Sequence, residues 1–101
     1  MPRLIVSEAA AADIRAHYRQ GMEMFGVRQA DDYATGLRET IRRLADFPRS
    51  AAEQSGFRQS VRIAPYRSHM IVYTANDEEV HILRVRHAAE DWAKDPIGEH
   101  R

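Results

Sequence analysis

Two stretches in the second half of the chain, residues 61–73 (VRIAPYRSHMIVY) and residues 80–87 (VHILRVRH), decide its fold. Both are rich in β-branched and aromatic side chains, which favour strands. In the first stretch an arginine alternates with aliphatic residues and a proline interrupts the apolar pattern, which indicates a strand, a turn and a second strand. We therefore expect three strands in this part of the chain, at residues 60–64, 69–75 and 79–87.

Two short polar segments separate these predicted strands. Residues 65–68 (PYRS) are expected to form the first turn, with Tyr66 and Arg67 as exposed side chains. Asn76 and Asp77 lie between two apolar runs and are a strong signal for the second turn. Two consecutive hairpins imply a three-stranded antiparallel meander.

The first half of the chain has helical periodicity. Ser7 is a candidate N-cap and precedes an alanine-rich segment of high helix propensity, so a first helix is predicted over residues 7–25. Gly26 suits the end of that helix, and a second helix is predicted over residues 27–47, before Pro48. Apolar side chains recur every three or four residues at Ile14, Tyr18, Met22 and Phe25, and again at Tyr33, Leu37, Ile41 and Leu44. Two such faces predict an antiparallel helical hairpin.

The remaining segments are short. Residues 1–6 contain an apolar run that is typical of an edge strand, residues 48–59 are polar and are expected to form a loop, and residues 88–101 are expected to form a C-terminal tail. The chain, residues 1–101, is thus expected to be a single α+β domain with the order β-α-α-β-β-β, in which a helical hairpin packs on a small antiparallel sheet.

Composition limits the classes of function. The 15 basic and 15 acidic residues cancel, whereas proteins that work on nucleic acid usually carry a basic excess, so direct nucleic-acid binding is not expected. The absence of cysteine excludes disulfides and thiol chemistry. The histidines lack carboxylate partners at metal-ligand spacing, and there is no glycine-rich phosphate loop, so neither a metal nor a cofactor is expected. No apolar run is long enough for a signal peptide or a membrane span, which favours a cytoplasmic protein.

The strand motifs resemble those of ParE toxins, a branch of the RelE/ParE superfamily. Residues 61–73 are similar to that family's strand, turn and apolar strand ending in tyrosine. Residues 80–87 are similar to its last strand, in which isoleucine, leucine, arginine and valine precede a histidine. The opening strand, the alanine-rich helix, the helix end near Phe47 and the acidic Asp91 before Trp92 extend the resemblance over about the whole chain. The fold that the resemblance implies is RelE/ParE-like.

This resemblance implies the toxin component of a type II toxin–antitoxin system. Such a toxin would form a hetero-oligomer with a ParD-type antitoxin that neutralises it, and would inhibit DNA gyrase by binding rather than by catalysis. The family's toxicity region, carried over by position, implies the target-binding residues Arg84, Arg86, His87 and Trp92. We expect the exposed turn residues Tyr66 and Arg67 to contribute to the same surface. An acidic antitoxin segment is expected to meet four helix arginines, Arg15, Arg19, Arg38 and Arg42.

Several alternatives remain open. Arg84 lies between apolar neighbours, and pairing with an acidic residue would explain it as well as target binding does. A RelE-like ribosome-dependent mRNA endonuclease would use His87 as the acid or base and Arg84 as a phosphate clamp, although the predicted sheet has no lysine and an acidic cluster, residues 77–79, at a hairpin tip. A third possibility is a non-toxic partner that binds its antitoxin only in autoregulation. For the four helix arginines, a solvated helix face is an equally good explanation.

Overall fold

In the computed structural model, which describes residues 2–55 and 59–88, two helices pack on one face of a five-stranded sheet. The elements in chain order are β1 (Arg3–Val6), α1 (Glu8–Phe25), α2 (Val27–Asp46), β2 (Glu53–Gln54), β3 (Val61–Tyr66), β4 (His69–Ala75) and β5 (Glu79–His87). The strand order is β1-β5-β4-β3-β2. The expected α+β class is confirmed.

The sheet is mixed, which corrects the expectation of a purely antiparallel one. Strands β3, β4 and β5 form the predicted antiparallel meander. β1 is an edge strand, as expected, but it runs parallel to β5, with Leu4 opposite Val80. A parallel pair needs a long crossover connection, and the two helices at the start of the connection from β1 to β5 cover one face of the sheet.

Two segments near the outer edge of the sheet also differ from expectation. Residues 48–59 were expected to form a loop, but Glu53 pairs with Arg62 in the short strand β2. The polar side chains of this segment did not predict a strand, because β2 is held by backbone hydrogen bonds. β3 continues to Tyr66, so the turn contains only Arg67 and Ser68. Pro65 is tolerated within β3 because β2 covers only the start of that strand and leaves the rest as an edge.

The helical hairpin is joined by one glycine. The hydroxyl oxygen of Ser7 accepts the amide of Ala10 at 3.0 Å, which confirms the predicted N-cap of α1. Gly26, at φ +93°, ends α1 and begins α2, a backbone conformation that glycine adopts without strain. The two helices therefore turn back on each other with no intervening loop.

The two predicted apolar helix faces differ in how much of each is buried. Leu37, Ile41 and Leu44 of α2 are buried against the sheet, as predicted. In α1 the burial ends before the last turn of the helix. Met22 and Phe25 are exposed there, so the prediction of one continuous buried face was wrong for the last turn of α1.

The main core lies between α2 and the centre of the sheet. Ile71, Tyr73 and Val85 are fully buried there, and the hydroxyl of Tyr73 donates to the carbonyl oxygen of Pro48 at 2.8 Å. Phe47, which follows α2, is exposed. A smaller apolar cluster around Val72 occupies the opposite face of the sheet. Within the described ranges, no helix has both the length and the apolar character needed to cross a membrane.

Candidate functional site

Two side chains of helix α1 bind the backbone N–H and C=O groups of Val85 in strand β5. The amide of Val85 donates to Oδ2 of Asp13 at 2.9 Å, and Nε2 of His17 donates to the carbonyl oxygen of Val85 at 2.7 Å. Asp13 and His17 are four residues apart, so they share one face of the helix. Helix and strand are thereby fixed in one register.

These contacts continue the row of hydrogen bonds that β1 makes to β5. β1 ends beside Ile82, whose carbonyl accepts the amide of Ser7 at 3.0 Å. The hydroxyl of Ser7 then donates to the carbonyl oxygen of Leu83 at 2.9 Å. Ser7 and two α1 side chains thus replace a neighbouring strand along the second half of β5, where an uncovered edge would expose unpaired backbone groups.

Arg84 forms a two-pronged ion pair with Asp13. Its Nε lies 2.6 Å from Oδ2 and its Nη2 lies 2.9 Å from Oδ1, and both side chains are largely shielded from water. Burial alone would raise the pKa of the Asp13 carboxyl. Hydrogen bonds from Arg84 and Val85, and the charges of Arg84 and His17, outweigh burial and hold that pKa below its usual value. Pairing with an acidic residue was the structural alternative for Arg84, and its role in target binding stays a prediction.

A bulge in β5 decides which side chains meet at the end of the sheet. Tyr73 pairs with Ile82, but Val72 pairs with Arg84, so Leu83 is the extra residue. From there on, the register is shifted by one, and His69 lies opposite His87 instead of Arg86. Because a shift of one residue exchanges the two faces of a strand, the bulge brings His87 to the helix side of the sheet.

A cleft of about 320 Å³ opens at this end of the sheet, between the helical hairpin and the β3–β4 turn. We call it the histidine cleft, and the polar side chains that line it include His17, His69, His87, Tyr33, Arg67 and Ser68. The rings of His17 and His69 have centroids 4.0 Å apart, and those of His69 and His87 are 5.3 Å apart in an edge-on arrangement. The hydroxyl of Tyr33 lies 3.0 Å from Nδ1 of His69.

Arg67 is held over the cleft by a strained turn. Its φ of +53° is the only positive value of a non-glycine residue in the described part of the chain. Its guanidinium carbon lies 5.3 Å from the centre of the Tyr66 ring and 6.0 Å from that of Tyr33, within reach of cation–π attraction. Burial, and next the nearby Tyr66 hydroxyl, raise the pKa of the Tyr33 phenol, while the charge of Arg67 lowers it in part.

Tyr66 is not the exposed turn residue that the sequence suggested. It ends β3 and is half-buried, and its hydroxyl donates to the carbonyl oxygen of Tyr33 at 2.8 Å. A Cβ atom at Gly36 would overlap the hydroxyl oxygen of Tyr66, so the ring fits against α2 only because residue 36 is glycine.

A second cavity of about 240 Å³ lies at the other end of the helical hairpin, beside β1. We call it the edge groove, and the side chains that line it include Leu4, Val6, Ile14, Leu37, Ile41, Arg38 and Arg42. Leu4 and Val6 are 39% and 42% exposed, which is unusual for aliphatic residues of a strand that flanks a core. The outer edge of β1 has no strand neighbour among the described residues.

The other predicted site residues are spread over the molecule. Arg86 lies opposite Met70 and hence on the sheet face away from the helices. Arg15 and Arg19 are exposed on α1 but do not line the edge groove. Trp92 lies outside the described residues. In the parts of the chain that are described, no cluster of histidine and carboxylate side chains has the geometry to hold a metal ion.

Sequence reasoning did not identify Asp13, His17 or Tyr33 as site residues. The spacing of Asp13 and His17 places them on one helix face, which was a usable signal. The pairing of His69 with His87 was harder to predict from the sequence, because an uninterrupted hairpin register would have paired His69 with Arg86.

Comparison with known proteins points to one family. Residues 4–92 match the sequence model described as ParE toxin of type II toxin-antitoxin system, parDE. The chain is similar to Toxin ParE1 of Caulobacter vibrioides, with 32% identity over 82 residues, covering 81% of this chain and 84% of that protein. Similarity to Toxin ParE3 of the same organism is 28% over 85 residues, covering 84% and 85% of the two chains. A chain of the structure called Chromosomal ParDE TA system from P. aeruginosa superposes with a TM-score of 0.75 at 22% identity, covering 86% of this chain and 96% of that one.

Proposed function

The chain belongs to the ParE toxin family of type II toxin–antitoxin systems, and we propose that a ParD-type antitoxin neutralises it by occupying the edge groove. The observation that carries this proposal is the uncovered apolar surface formed by Leu4, Val6 and Ile14 beside an open strand edge. Exposed apolar patches of this kind mark binding surfaces in monomeric proteins.

The charges around the edge groove favour an acidic partner segment. Arg38 and Arg42 lie one turn apart on α2 and are exposed, and no carboxylate is among the described residues that line the groove. An amphipathic segment with acidic residues beside its apolar face would satisfy both features of the groove. The segment can bind as a helix in the groove or as a strand added to β1. Either mode gives the hetero-oligomer of toxin and antitoxin that the family implies.

The proposed target is DNA gyrase in the cytoplasm, inhibited by binding rather than by turnover of a substrate. Family membership supports this target. Of the predicted target-binding residues, Arg67 and His87 are exposed, and Arg86 is half-exposed on the opposite sheet face. Arg84 and Tyr66 hold internal contacts as well, so loss of either side chain would also affect stability.

The decisive experiment is DNA supercoiling by purified gyrase with and without this protein, freed of antitoxin. Inhibition or trapped cleaved DNA, reversed when the cognate antitoxin is added, is the expected result. Normal supercoiling would contradict the gyrase proposal, and a ribosome-dependent mRNA cleavage assay would then test for a RelE-like endonuclease. A protein that binds its antitoxin but neither arrests growth nor acts in these assays would be a partner in autoregulation alone.

A further inference from the structure

The lining of the histidine cleft differs in charge from the chain as a whole. The chain as a whole is neutral, with equal numbers of acidic and basic residues. Among the described residues that line the cleft there is no carboxylate, whereas Arg67 and three histidines face it. A concave site with one sign of charge concentrates ligands of the opposite sign, so the cleft suits an anion.

The polar groups of the cleft are held in place before any ligand binds. His17 is anchored by its bond to the carbonyl of Val85, and His69 by the hydroxyl of Tyr33. Arg67 is aimed by a backbone conformation that costs free energy, and such strain is characteristic of binding and catalytic positions. Preorganised donors bind an anion with less loss of side-chain entropy than mobile surface residues do.

The rim of the cleft adds an apolar surface to this anion site. Met24 and Phe25, at the end of α1, are 62% and 60% exposed, and both line the cleft. The amides of Gln20 and Gln29 also face it and supply neutral donors and acceptors. Aromatic and thioether side chains are surfaces on which a planar base can stack.

We propose that the histidine cleft binds the phosphate monoester of a mononucleotide. Arg67 and the histidines receive the phosphate, and the base packs against Met24 and Phe25. The guanidinium group of Arg67 can form charge-assisted hydrogen bonds to phosphate oxygens, which are stronger than those between neutral groups. The volume of about 320 Å³ lies within the range of small-ligand sites. This site is separate from the edge groove, and it shares Arg67 and His87 with the proposed target surface.

The test is calorimetric titration of the full chain, free of antitoxin, with adenosine monophosphate and with inorganic phosphate. We expect saturable binding of both, with the nucleotide at least about tenfold tighter because of base packing. Arg67→Gln should weaken both ligands by about tenfold or more, whereas the exposed control Arg42→Gln, in the edge groove, should change neither. Phe25→Ser removes an exposed side chain, so the fold is expected to tolerate it, and it should weaken the nucleotide but not phosphate.

Three outcomes would overturn the proposal. The first is no saturable binding of either ligand at millimolar concentration. The second is equal binding by the wild type and Arg67→Gln, with the NMR signals of the His17 and His69 rings unmoved by ligand. The third is preferential binding of a single-stranded oligonucleotide without a terminal phosphate, which would assign the cleft to a nucleic-acid backbone rather than to a free nucleotide.

Discussion

Gly36 leaves the space that the hydroxyl group of Tyr66 occupies against helix α2. In an exposed helix, Gly→Ala would stabilise by about 1 kcal/mol because alanine is the better helix former. Here the added methyl group would collide with the Tyr66 hydroxyl and displace it from the carbonyl of Tyr33. We therefore expect Gly36→Ala to lower the free energy of unfolding by about 1–3 kcal/mol, measured by urea denaturation.

The matched control for this prediction is a double-mutant cycle with Tyr66→Phe. The phenylalanine ring lacks the oxygen that makes the closest contact, so it should relieve most of the clash with Ala at position 36. The double mutant should lose less stability than the two single changes added together. Strict additivity would show that the hydroxyl is not the source of the strain.

The ion pair of Asp13 and Arg84 predicts how stability depends on pH. The pKa of Asp13 is lower in the folded protein than its ordinary value of 3.8. The folded state therefore favours the carboxylate, and the stabilisation is fully present above the unfolded pKa and lost as pH falls through the folded pKa. Urea midpoints measured from neutral pH downward should fall in this acid range, and Asp13→Asn should lower stability at neutral pH and flatten that acid-dependent loss.

Asp77→Asn is the control for this experiment. The Asp77 side chain is 93% exposed, and its oxygen lies 3.7 Å from Arg49, so it makes a surface pair of little energetic value. This variant should keep the acid dependence of the wild type. If Asp13→Asn also keeps it, the pH dependence comes from other carboxyl groups.

Replacement of Arg84 and of Arg86 should separate stability from toxicity. Arg84→Ala leaves the shielded carboxylate of Asp13 without its ion-pair partner and is expected to cost about 1–3 kcal/mol of unfolding free energy. Arg86→Ala should cost less stability than Arg84→Ala while reducing gyrase inhibition and growth arrest. Wild-type toxicity of Arg86→Ala would remove this residue from the proposed target surface.

Charge reversal on the two helices should show which surface of this chain binds the antitoxin. The double variant Arg38→Glu and Arg42→Glu places negative charges beside the edge groove and should weaken binding of the cognate antitoxin at least about tenfold, or about 1.4 kcal/mol. The same reversal at Arg15 and Arg19 changes net charge equally but lies outside the groove. Equal losses from both double variants would contradict a site confined to the groove, and would indicate either contact with all four arginines or a non-specific charge effect.

Much of the fold could be predicted from local patterns. The apolar spacing of α2, the Ser7 cap, the single glycine between the helices and the two hairpins are all local features, and each is present in the structure. The parallel pairing of β1 could not be predicted, because it depends on how the helical hairpin crosses the sheet. The exposure of Phe25 could not be predicted either, since apolar spacing does not show how far along a helix the covering structure extends.

The histidine cleft depends on two features that local patterns do not carry. One is the register shift at Leu83, which places His87 rather than Arg86 opposite His69 at the end of the sheet. The other is the positive φ of Arg67, since arginine in a turn gives no sign of a left-handed backbone. By contrast, Arg38 and Arg42 of the edge groove could be identified from the sequence, because helix periodicity shows which side chains are exposed.

The bonds by which Ser7, Asp13 and His17 close the edge of β5 have a consequence for synthesis on the ribosome. Each of them joins the first turns of the chain to a strand that is made about 70 residues later. In the described part of the chain, the strand partner of β1 is β5. Contacts of such long sequence separation form late in folding because a large loop must close first. The nascent chain therefore cannot complete this fold until β5 has left the ribosome, and a growing chain carries no finished toxin.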